Sequence, residues 1–374
     1  MSDSRYPAAR AVAPKVRQHF LRHLARHGAS HRVSHVPPAA DIEAMVDAAF
    51  WASLRREEGY VPRLSIALVD PATIAQPMYF AQALPPAPTA LAKMAPAVER
   101  PGIHLGVWRV DDEMRVWGTL HDVPDTAPVI EVASPGLLVV KHHRRDGSKF
   151  VNVAVLEGDQ VKIIVENASA IPECPEMLSS LRGADGTPSL PHINILIDLA
   201  VSMRAHGRGG TLLVVPSTGT WMKSILRPIP YAVHPPFNAL ADLMRRPAEE
   251  RLAREWQEET EDIVAALAGL TAVDGATIIN DRFELLAFGA KLTRGDGYPT
   301  VEEATVTEPI DGSDAAVVHP SRLGGTRHLS ATQFVHDQPG SLALVASQDG
   351  RFTVFSWSTR ERRVHARRVE ALLL

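Results

Sequence analysis

The 374-residue sequence contains one cysteine, Cys174. No disulfide can form within the chain, which fits a reducing compartment, and the lone thiol reads as small and inert. No stretch approaches the ~20 apolar residues that span a bilayer. The opening Met1-Ser2-Asp3-Ser4-Arg5-Tyr6-Pro7 lacks the apolar segment of a secretory signal. A cytoplasmic protein with no membrane partner is the expectation. A formal net charge of −4 provides no overall field to draw a polyanion, so nucleic acid is not expected as a partner and any nucleotide affinity must come from a local site. Internal repeats and low-complexity tracts are absent. Gly207-Arg208-Gly209-Gly210 lacks the lysine and following helix of a phosphate-binding P-loop and precedes a strand, so it reads as a helix stop.

Hydrophobic residues make up 45% of the chain and charged residues 22%, enough core material under a soluble surface. The length exceeds one core, so two domains are expected. Residues 12–27 and 41–57 show helical spacing, and 72–101 is rich in Pro and Ala, suggesting short helical pieces and irregular connection. From Gly106 the period changes to strand-like runs at 107–110, 115–118, 136–140, 151–156 and 161–165. The turn signals between them predict an antiparallel meander. The Gly/Asp/Ser/Pro-rich 182–191 reads as a linker. It divides an α+β domain at 1–181 from a second domain at 192–374, which opens with a helix around Ile193–Arg204.

The histidines and tryptophans of the first domain have bland readings. His19, His23 and His27 share one helical face, but no carboxylate or cysteine completes a metal set, so an exposed basic face is expected. His142-His143-Arg144-Arg145 precedes an Asp-Gly turn and reads as a solvated hairpin tip. Trp108 and Trp117 read as core.

Two stretches in the last third carry chemistry. Asp274-Gly275-Ala276 leads into the β-branched run Thr277-Ile278-Ile279, placing a carboxylate at a sheet edge. About fifty residues on, Leu323-Gly324-Gly325-Thr326-Arg327-His328-Leu329-Ser330 combines glycines, hydroxyls, a guanidinium and an imidazole. A turn of this kind offers an anion backbone N–H groups, hydroxyls and positive charge together. Before them stand the strand-like Gly209–Val215 and a helical pattern at Glu255–Leu270. After them come Leu342–Gly350 and Phe352–Phe355, which read as a hairpin.

This ordered set resembles the diadenylate cyclase family, whose catalytic (DAC) domain carries DGA and GTRHR motifs. The similarity covers residues 190–374, about half the chain. The N-terminal half, through 48–53 and Glu57-Glu58-Gly59, resembles the DACNV sensor module that precedes some bacterial DAC domains. The resemblance implies an α/β domain with a mixed β-sheet flanked by helices, joining two ATP into cyclic di-AMP with release of pyrophosphate. It implies Mg²⁺ or Mn²⁺ as cofactor, and self-association of two DAC domains face to face. Asp274 is the implied catalytic residue, holding the metal or accepting the proton. Gly275 and Ala276 would let the backbone approach the ribose. Gly325, Thr326, Arg327, Ser330 and Ser347 complete the implied nucleotide contacts, with His328 donating to phosphate or buttressing the loop.

Leu329 stands where the family has a second arginine, and Gln348 where it has an acid. Losing a charge-assisted hydrogen bond costs on the order of 1.5–3 kcal/mol. A weakened or inactive module that senses nucleotide is therefore the alternative. Arg322 and Arg351 are candidate replacements for the missing cation.

Overall fold

The computed structural model describes residues 6–143, 150–165, 191–247 and 249–374. The chain divides into two compact units, 1–166 and 167–373. Cys174 and the expected linker lie outside the described residues, except Pro191, which opens a helix.

The first unit carries helices α1 (Pro7–Arg26), α2 (Ala39–Ser53) and α3 (Pro88–Met94). Its strands are β1 (Leu64–Leu68), β2 (Met78–Leu84), β3 (His104–Val110), β4 (Glu113–Leu120), β5 (Pro128–Ser134), β6 (Leu137–His143), β7 (Phe150–Glu157) and β8 (Gln160–Ile163). They form one sheet in the order β2-β4-β3-β1-β5-β6-β7-β8. This corrects the simple meander. The run Leu64–Leu68, buried throughout, enters between β3 and β5 and pairs parallel with β3, making the sheet mixed. A five-residue strand buried on both faces carries no alternation to announce it.

Val12, Val16, Phe20 and Leu24 of α1 and Ile42, Met45 and Val46 of α2 recur at helical spacing and pack with Ile66, Leu105, Ile130 and Val140. Trp117 and partly buried Trp108 join a second apolar cluster containing Ala67 and Val129. Asp41, buried in the first turn of α2, pairs with Arg109 of β3.

The histidine readings need correction. His19 and His142 are buried, and His19 Nε2 lies 3.0 Å from His142 Nδ1. His142 Nε2 lies 3.0 Å from the carbonyl of Asp125. A carbonyl only accepts, so His142 Nε2 carries a proton and donates to it. The pair joins α1 to β6; His142 belongs to a strand and the tip beyond it, 144–149, lies outside the described residues. His27 is exposed as expected.

The second unit contains α4 (Pro191–Ala205), α5 (Ala239–Arg245), α6 (Arg254–Leu270) and α7 (Thr326–Asp337). Its strands are β9 (Gly210–Val215), β10 (Tyr231–Phe237), β11 (Ala276–Asn280), β12 (Leu285–Ala290), β13 (Ala304–Thr307), β14 (Ala316–Val318), β15 (Leu342–Ala346), β16 (Phe352–Ser358) and β17 (Arg363–Arg368). The sheet order is β10-β12-β11-β9-β15-β16-β17-β13-β14. Pairs β9/β11 and β13/β17 are parallel and the others antiparallel. The expected mixed α/β architecture is observed.

α4 packs against α6 and β15, while α7 packs on β15, β16 and β17. Phe334 and Val335 of α7 are buried with Leu213, Val215, Ala343, Val345 and Phe355. Strand register then brings distant segments to one end of the sheet. Ala276 pairs with Thr211 on one side and Ala290 on the other, and Gly210 pairs with Ala346. The starts of β9 and β11 therefore lie beside the ends of β12 and β15.

Candidate nucleotide cleft

A cleft of about 690 Å³ opens at that end of the sheet. Asp274, Gly275 and Ala276 line it together with Gly325, Thr326, Arg327, His328, Ser330 and Ser347. The residues expected as nucleotide contacts in the two motifs, with Ser347, are thus brought to one cavity.

Asp274 precedes β11, an interior strand, so it stands at a strand's entry end and not at the lateral edge of the sheet. Its carboxylate is 89% exposed and lies 2.5 Å from Lys291 Nζ. That hydrogen bond, then the Lys291 charge, holds the Asp274 carboxyl below the ordinary carboxylate range, and the Arg327 charge acts in the same direction.

Gly275 is constrained by the packing of the sheet. At φ +120° it occupies backbone space that side chains rarely adopt, and a Cβ there would lie 2.4 Å from the carbonyl carbon of Gly289. The close approach of β12 by itself requires a glycine here.

The second motif is a helix start, not a turn. Gly325 is the N-cap of α7 and makes no side-chain cap, leaving the positive end of the helix dipole open to the cleft. A Cβ on Gly325 would meet nothing within 4 Å. Thr326 is exposed in the first turn and Arg327 half-buried beside it. A Cβ on Gly209 would lie 3.2 Å from Arg327 Nη1, so the guanidinium reaches across to the start of β9.

His328 is buried, and a Cβ on Gly324 would lie 2.5 Å from its Nδ1. Burial first, then the nearby Arg368 charge, pushes its imidazole below the usual histidine value, favouring the neutral form. Ser330 Oγ donates to the carbonyl of Arg327 at 3.2 Å, so this hydroxyl already has an acceptor in its own helix. Ser347 lies in the β15–β16 turn, where its N–H donates to the carbonyl of Arg351.

Neither Arg322 nor Arg351 lines the cleft, and Arg351 pairs with Asp349 at 3.4 Å. Leu329 is 39% exposed on α7 and also lies outside the lining. The sequence reading missed Lys291, Thr211 and Asp349, which do line it. None of the three carried a sequence signal; the pairing of Ala276 with Ala290 brings Lys291 to this end of the sheet.

The segment after Lys291 is pinned to α7. Buried Asp337 accepts from Gly295 N–H at 2.8 Å and from Gln333 Nε2 at 2.8 Å, and lies 2.9 Å from His336 Nδ1. Gln338 Nε2 donates to Ser224 Oγ at 2.9 Å, and Leu226 N–H donates to the carbonyl of Lys291 at 2.8 Å. These bonds anchor the backbone at Lys291 and the segment after it.

Residues 31–121 match the family model described as the probable sensor domain DACNV. The matched DACNV stretch runs from the turn before α2 through β4 and ends before the cleft-bearing unit begins. No curated protein matches the chain. Among solved structures, a hypothetical membrane spanning protein from Bacillus cereus matches at 14% identity and a TM-score of 0.26; the alignment covers 44% of this chain and 59% of that one. A double mutant of DacA from Staphylococcus aureus matches at 13% identity and a TM-score of 0.26, covering 47% of this chain and 85% of that one. Among the described residues, no helix is long and apolar enough to cross a membrane.

Proposed function

We propose that residues 192–374 form a nucleotide-binding module of the diadenylate cyclase kind, acting in the cytoplasm under the control of the DACNV-like N-terminal half. The observation that carries this reading is the convergence of Asp274-Gly275-Ala276 and the uncapped start of α7 on one cleft of about 690 Å³, a size suited to a small-molecule ligand. An exposed carboxylate and a helix N-terminus with Arg327 in one cleft suit the ribose hydroxyl and the phosphates of a nucleotide.

In the proposed reaction the 3′-oxygen of one ATP attacks the α-phosphorus of another. The bond from that phosphorus to the bridging oxygen breaks and pyrophosphate leaves; a second such step closes the ring. Two modules face to face would align the two nucleotides, so self-association is part of the proposal. Asp274 would accept the hydroxyl proton or hold a divalent cation. Among the described residues no three His, Cys, Asp or Glu gather as a metal cage. One exposed carboxylate nevertheless fits Mg²⁺ or Mn²⁺ arriving on a triphosphate, because such ions keep waters and phosphate oxygens as most of their ligands. The ion would neutralise charge developing on the phosphate.

A second reading, nucleotide sensing without turnover, is favoured by Leu329 and by the Lys291–Asp274 ion pair, which engages the carboxylate the reaction needs. Incubating the pure chain with ATP and Mg²⁺ or Mn²⁺, followed by mass spectrometry, separates the two. Cyclic di-AMP that disappears in Asp274→Asn is the expected product. ATP binding with no product selects the sensor, and no binding rejects both readings.

A further inference from the structure

Among the described residues, the charged side chains lining the cleft are Lys291 and Arg327 against Asp274 and Asp349, a balance of zero. His328 adds no charge when neutral. A triphosphate entering this space needs cations, and Leu329 supplies none. On the footing of the nucleotide reading above, we propose that Lys291 is a phosphate-binding residue of the cleft, exchanging Asp274 for the phosphates of the bound nucleotide.

Three observations support the exchange. Lys291 and Asp274 are 48% and 89% exposed, and an ion pair so open to water is worth little and is readily given up. The Lys291 backbone is anchored by Leu226, and its neighbour Leu292 pairs with Ile225. Only the flexible four-carbon stem has to move. Removing the ammonium would leave Arg327 alone against two carboxylates, a net −1, in a cleft that must attract an anion. The same exchange frees Asp274 as the nucleotide arrives, so phosphate binding and release of the carboxylate become one event.

Calorimetric titration of ATP into the full chain in one Mg²⁺ buffer tests this with Lys291→Met and Lys291→Arg. Methionine keeps an unbranched stem without the charge, and arginine keeps the charge. The expected result is ATP binding about tenfold or more weaker in Lys291→Met, with Lys291→Arg restored to near the parent. Parent-like affinity in Lys291→Met would overturn the role of Lys291 and leave the nucleotide reading standing. Equal loss in both variants would also overturn it, because the position would then matter for shape and not charge. A parent protein that binds no ATP would overturn the nucleotide reading itself.

Discussion

Gly275→Ala separates sheet packing from ligand access. The added Cβ would lie 2.4 Å and 2.6 Å from the carbonyl carbon and oxygen of Gly289, and 2.9 Å from Ala290 N. These atoms are backbone in the neighbouring strand and cannot rotate away. Overpacking of this kind costs about 1–3 kcal/mol. Holding a non-glycine residue in this unfavourable backbone region costs about another 1–3 kcal/mol. The combined loss is about 2–6 kcal/mol, or roughly 4 to 24 °C in melting temperature for a unit of this size. Gly325→Ala is the matched control: nothing lies within 4 Å of its Cβ, so about 1 kcal/mol or less is expected from the cap change. Thermal unfolding without nucleotide, followed by circular dichroism, compares the two variants with the parent. If Gly275→Ala melts with the parent, the steric account of β11 against β12 is wrong, and the glycine serves the ligand after all.

Two further outcomes follow from buried polar groups. His104 accepts or donates at Nδ1 with Ser65 Oγ at 2.7 Å, and burial, more than any charge around it, pushes its value down from 6.5 to about 4. The folded state resists protonation more than the unfolded state does. Its stability contribution is therefore complete above pH 6.5 and is lost as pH falls towards about 4, by about 3 kcal/mol in all. Urea unfolding across this range should show the slope, and His104→Leu should flatten it. Asp337→Ala would leave Gly295 N–H without its buried acceptor and remove one of the two acceptors of Gln333 Nε2, at about 1–3 kcal/mol. Denaturant titration should show that loss, and a change below 1 kcal/mol would contradict the pinning of the loop to α7.

Periodicity made the long elements legible. Phe20 and Leu24, or Leu213 and Val215, declare their spacing locally, so α1, α2, α4, α6 and β9 were visible within a residue or a few at their ends. Leu64–Leu68 and Pro128–Ser134 were not, because the first is buried on both faces and the second needs its neighbours β1 and β6 to define it. The helix carrying His19 was equally visible, yet the burial of its ring depends on His142, 123 residues away.

By itself the sequence determined which chemical groups are available: one small acidic tripeptide, one glycine-led basic segment, and the missing cation at Leu329. Only the tertiary structure decided their relation. Register across β9, β11, β12 and β15 places both motifs on one cleft, assigns Gly275 to Gly289 and brings Lys291 to Asp274. The physical reason is range: hydrophobic periodicity is written in neighbouring residues, whereas a contact between strands is written in which distant edge each strand buries.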